Sequence, residues 1–182
     1  MYDRGADNFE VYCRLLLGQN DWVVRASKLH RIVFHEGKEI SLAQRLEQLP
    51  LAGSYELPVR ATREHRSRVA QLEVRYGTVA MPAPRQISPW LRECGIRLIV
   101  MNVVEVREVN APPGVKPLHW VLFTSLPVAS FEDAWRVIEY YEKRPLVEEF
   151  HKALKTGCRV EERQYETSER LEAITALLSV SA

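Results

Sequence analysis

YEKRPLVEEFHKALK, running from Tyr141 to Lys155, is the most informative stretch of the chain. Placed on a helix, Tyr141, Arg144, Glu148, Lys152 and Lys155 fall at offsets 0, 3, 7, 11 and 14 and share one narrow polar stripe. Leu146, Val147, Phe150, Ala153 and Leu154 take the other side, which suits burial against a sheet. A single carboxylate among cations on such a helix can hold a divalent metal while the cations hold phosphates. Spacing alone also supports a plainer reading, since Glu148 and Lys152 form an i,i+4 pair of the kind that stabilises an exposed helix by roughly 0.2 to 0.5 kcal/mol. Pro145 interrupts the pattern: it removes one helical hydrogen bond and biases Arg144 away from helical angles. Either the helix kinks there, or a new helix starts with Pro145 near its first turn.

The flanks extend the helical reading. Upstream, SFEDAWRVIEYYEK has a capping serine at Ser130, acids Glu132 and Asp133 in the first turn, and an apolar face of Phe131, Ala134, Trp135 and Ile138. Downstream, Gly157 is a C-cap and a last helix begins at about Ser168, with Leu171, Ile174, Leu177 and Leu178 on one side.

From about His35 to Pro127 the chain changes character. One short helix is expected over Ser41 to Leu49, followed by strands at Tyr55 to Arg60, Val69 to Arg75, Thr78 to Met81, Leu98 to Val109 and His119 to Thr124. Turn signals at Tyr76-Gly77, Pro82-Ala83-Pro84 and Pro112-Pro113-Gly114 separate them. Arg63, His65, Arg66 and Arg68 crowd a hairpin tip, either to grip a nucleic-acid backbone or simply as a solvated turn. Trp120 sits in the strand LHWVLFTS, where a core position is the plain expectation. Nearer the start, MYDRGAD places Asp3 just before a helical run through Phe9, Val11, Tyr12, Leu15, Leu16 and Leu17, and DWVVRAS, Asp21 to Ser27, reads as a buried strand bounded by Lys28.

Composition narrows the function classes. Twenty-five Lys and Arg against 24 Asp and Glu give a net charge of +1, so nucleic-acid binding has to come from a local patch. Cys13, Cys94 and Cys158 are scattered, odd in number and without a CxxC pair, which argues against a disulfide framework or zinc site and fits a reducing cytoplasm. No apolar run approaches the ~18 residues of a membrane span, and the start of the chain is too charged for a signal peptide. A cytoplasmic location is the expectation.

The stretch Tyr141 to Lys155 resembles the Tyr-x-x-Arg-x-x-x-Glu-x-x-x-x-x-x-Lys signature of bacterial cut-and-paste DDE transposases, the insertion-sequence group with a ribonuclease H-like catalytic core. Tyr141, Arg144, Glu148 and Lys155 stand in its four positions, and Asp3-Arg4-Gly5-Ala6-Asp7 resembles the same family's motif at the second catalytic aspartate. The family usually has a large residue where Pro145 stands, and often Glu in place of Gly5. The resemblance covers nearly all 182 residues. It implies an α+β chain holding part of a ribonuclease H-like fold. Residues 1–34 would be a core fragment with the second Asp, 35–127 a β-rich insertion, and 128–182 the catalytic helix and its successor.

The same resemblance implies Asp3 and Glu148 as catalytic, metal-binding acids. In the family three carboxylates hold two Mg²⁺ ions about 3.5 to 4 Å apart for in-line attack on a phosphodiester. Arg25, Trp120, Tyr141, Arg144, Lys152 and Lys155 are implied as DNA contacts, with Trp120 packing against a flipped base. The implied partners are transposon-end DNA and a second or full-length transposase copy. The family's first aspartate lies upstream of the Asp3 motif, so two acids of three are expected here, and no strand cleavage by this chain alone. The alternatives are a non-catalytic DNA-binding or inhibitory remnant, and an unrelated α+β binding module whose polar stripe is merely solvated.

Overall fold

A computed structural model describes residues 4–61 and 66–144. The chain divides into two compact units, Met1–Tyr140 and Tyr141–Ala182. The first is an α+β unit: among the described residues seven strands form one sheet, and every pairing among them is antiparallel.

Local chemistry sets the helices. Asn8 caps α1 (Phe9–Leu17) by accepting the Glu10 N–H at 2.9 Å, and Phe9, Tyr12 and Cys13 form its buried face. Ser41 and Gln44 close a reciprocal capping box on α2 (Leu42–Glu47), which buries Leu42 and Leu46. Ser88 caps α3 (Pro89–Cys94); proline takes its first turn, and Gly95 ends it at φ 71°. At the start of α4 (Phe131–Glu142) the Asp133 N–H donates to Ser130 Oγ, and the Asp133 carboxylate accepts the N–H groups of Ala129 and Ser130. Those bonds hold the Asp133 carboxyl below its ordinary range.

The sheet runs β1 (Val23–Arg25), β7 (His119–Thr124), β6 (Leu98–Glu108), β5 (Arg68–Pro82), β2 (Ile32–His35), β3 (Lys38–Ser41), and β4 (Leu51–Val59) also pairs with β5. The 15-residue β5 accommodates two neighbours on one side, β4 along its first half and β2 at Ala80. Strand residues alternate between two faces. One face carries Val79, Met81, Ile99, Met101, Val103, Val121 and Phe123 into a core closed by α1, α2 and α3. The other carries Leu72, Val74, Val104, Val106 and Leu122. Helix α4 covers it, with Trp135 edge-on to Tyr55 at 4.6 Å and the Tyr76 hydroxyl donating to Ala129 O at 3.0 Å.

The expected strand at Asp21 to Ser27, the helix over Ser41 to Leu49 and the helix from Ser130 are all present. Three differences are physical. Tyr76-Gly77 is not a turn: β5 passes straight through it, paired with Val103 and Val104. Gly77 is there for close approach, since a Cβ would lie 2.5 Å from Leu49 Cδ2. The hairpin of β2 and β3 and the short α3 carry too little periodicity to be read from sequence. The sheet also draws on both sides of the expected boundary at residue 34, because β1 pairs with β7 and β2 with β5. No helix among the described residues is long and apolar enough to cross a membrane.

Candidate nucleic-acid interface

At one end of the sheet, the end of β1, the start of β5, the end of β6 and the start of β7 converge. A cavity of about 710 Å³ opens there, lined by Arg25, Arg68, Lys116, His119 and Trp120 together with Ala26, Ser27 and Leu29 after β1 and residues 114–118 before β7. Its lining holds three cations and a histidine and no acid. Such a lining favours an anionic ligand, because a concave wall of one sign focuses the field into the cleft.

Antiparallel pairing places these side chains. Val23↔Thr124 and Arg25↔Leu122 align β1 with β7, and the Arg25 guanidinium donates from Nη2 to His119 O at 3.1 Å. Trp120 lies opposite Val106 and is half-buried. The Glu108 carboxylate, fully buried, receives Arg68 as a fork, Nε at 2.8 Å and Nη2 at 2.9 Å. The same carboxylate accepts the Leu118 N–H at 2.8 Å, while Glu108 N donates to Leu118 O. Arg68 is thus neither a solvated hairpin residue nor a free backbone grip. It ties the start of β5 to the junction where the connection 109–118 enters β7. On the opposite face of that strand His119 Nε2 lies 2.8 Å from Glu105 Oε1.

The second element is Asp7, the last residue of the Asp3 to Asp7 motif. Its side chain is fully buried and receives Tyr12 Oη at 2.7 Å, Ser27 N at 2.6 Å, Ser27 Oγ at 2.9 Å, Lys28 N at 3.2 Å and Arg31 Nη1 at 2.7 Å. Burial raises its carboxyl, but the Ser27 N–H, the Arg31 charge and the two hydroxyls together outweigh that and hold it below its ordinary range. Burial, then the Asp7 charge, raises the Tyr12 phenol. All this capacity is spent on protein donors, so Asp7 is an anchor that fixes residues 27–31 against α1. A smaller cavity of about 480 Å³ lies beside it, with Lys28, His30, Arg31 and Arg85 facing Asp7 and Glu39, so its charge is mixed.

Of the residues nominated from sequence, Arg25 and Trp120 come together in one cavity. Tyr141 is buried at the end of α4, Arg144 is half-buried, and both already have partners. Helix α4 stops at Glu142, Lys143 is a turn, and Arg144 is helical again. Asp3, Glu148, Lys152 and Lys155 lie outside the described residues. Among the described residues no group of three or more His, Cys, Asp or Glu is placed to hold a metal. The motif's described acid, Asp7, is saturated by protein donors and is therefore poorly suited to ligate a metal. Sequence reasoning missed Lys116 and His119 as cavity residues and Asp7 as an anchor; their only signal was position beside Pro117 and Asn8. No family model matches the chain.

Proposed function

We propose that this chain is part of the ribonuclease H-like catalytic domain of a DDE transposase, and that the cavity at the end of the sheet binds DNA. The observation that carries this reading is the meeting of Arg25 and Trp120. Both are nominated by the same resemblance from distant parts of the chain, and they line one cavity with Arg68, Lys116 and His119 and no acid. The chemistry suits a nucleotide: Arg25 and Lys116 take phosphate oxygens, while Arg68 stays on Glu108, and the indole face takes an unstacked base. In this reading Asp3 and Glu148 would be two of the three acids that the family uses with Mg²⁺, no strand cleavage is expected of this chain alone, and DNA binding by the cavity can be tested separately. Fluorescence anisotropy with a short DNA hairpin tests it. Trp120→Ala and Arg25→Ala, each folded by circular dichroism, are expected to weaken binding about tenfold, in line with the loss of one stacked base or one phosphate contact. Unchanged affinity in both variants removes the proposal and leaves a binding module of another kind.

A further inference from the structure

Helices α1 and α3 meet along a seam that brings together two cysteines far apart in sequence. Glu10, Cys13 and Arg14 share one face of α1. Ser88 Oγ donates to Glu10 Oε2 at 2.7 Å, and the Arg14 guanidinium lies 4.1 Å from the centroid of the Trp90 ring. Cys94 follows Trp90 by one helical turn and lies on the same face of α3. Cys13 is fully buried in the core on this side of the sheet, and Cys94, half-buried, packs against that core. The two thiols are neighbours: burial, and next the Cys94 thiol, push the Cys13 thiol up to about 11.

We propose that Cys13 and Cys94 are a dithiol modification site, closed to a disulfide by a low-molecular-weight disulfide such as glutathione disulfide, which locks α1 to α3. The more exposed Cys94 reacts first. Its thiolate attacks one sulfur of the oxidant, forming a mixed disulfide and releasing one glutathione thiolate. Cys13 then gives its proton to solvent, its sulfur attacks that of Cys94, and the second glutathione thiolate leaves. Two protein thiols are oxidised and one glutathione disulfide is reduced to two thiols. The buried Cys13 makes the second step the slow one, and alkaline pH accelerates it.

The test equilibrates the folded full chain with glutathione disulfide, quenches with acid, and counts thiols after unfolding. The count is expected to fall from three to one, with a non-reducing digest yielding a peptide that joins Cys13 to Cys94. Cys158→Ser is expected to keep that cross-link, and Cys94→Ser to lose it while retaining the native circular dichroism spectrum. In denaturant the shorter loop between Cys94 and Cys158 should compete, because loop closure and not the fold then selects the pair. Pairing of Cys158 with either partner in the folded chain, or three thiols surviving at equilibrium, overturns the proposal.

Discussion

Arg31 holds the Asp7 carboxylate at 2.7 Å, and the same guanidinium donates from Nη2 to the Asp7 backbone carbonyl at 3.0 Å. One arginine thus clamps both ends of the residue that joins the 3-10 turn Arg4–Ala6 to α1, and the loop after β1 is stitched to it through Ser27 and Lys28. Removing a partner from a buried, fully bonded ion pair strands the other charge. Asp7→Ala is therefore expected to cost about 3 to 5 kcal/mol. A thermal melt should fall by roughly 10 °C; a shift within 2 °C of the parent would show that the clamp is dispensable.

The clamp carries a pH dependence. The Asp7 carboxyl sits below its ordinary value of 3.8 in the folded chain, so the folded state binds this proton less readily than the unfolded state. Its stabilising contribution is full above the unfolded value and is lost as pH falls through the lower folded one. Melting temperatures of the parent and Asp7→Asn should differ most near neutral pH, with the gap closing as pH falls below 3.8. A constant gap across that range would contradict the assignment.

Gly53 faces the ring of Phe131 so closely that a Cβ would lie 2.5 Å from Phe131 Cε2. The glycine sits where β4 slips register against β5, under the first turn of α4. Gly53→Ala pushes a rigid ring outward and should destabilise by about 1 to 3 kcal/mol. Pairing it with Phe131→Leu should restore part of the loss; full additivity of the two changes would argue against a direct clash.

Glu108 couples the Arg68 fork to the Leu118 N–H at the entrance to β7. Glu108→Gln keeps the shape but loses the charge that the fork requires. We expect a lower melting temperature together with weaker DNA binding, because Trp120 lies two residues past Leu118. Were affinity to fall with no change in melting temperature, a direct contact rather than positioning would be indicated.

Lys116 lines the acid-free cavity and should contribute through phosphate charge alone. Lys116→Ala is expected to flatten the plot of log affinity against log salt by about 0.7 to 0.9 while leaving base preference unchanged. An unaltered slope would place the nucleic acid elsewhere.

Much of the fold was legible in the sequence because the signals are local. Asn8 and Ser41 begin helices where short polar side chains can take orphan N–H groups, and Leu98 to Glu108 is a β-branched apolar run of strand length. The class, α+β, follows from that order of periods. Arg25 and Trp120 were visible only as isolated residue types, and the resemblance, not their spacing, linked them. Tertiary packing supplied the rest. Antiparallel pairing of β1 with β7 brings Arg25 alongside the cavity that Trp120 lines, and packing of α1 on α3 brings Cys13 to Cys94. Gly77 reads as a turn until Leu49 is laid across it, and Asp7 only as a neighbour of Asp3 in the motif until five donors surround it. Periodicity and capping depend on neighbours within a few residues, and so the elements could be read along the chain. Which side chains share a cavity, a seam or a buried charge depends on long-range register, which is set when the sheet assembles.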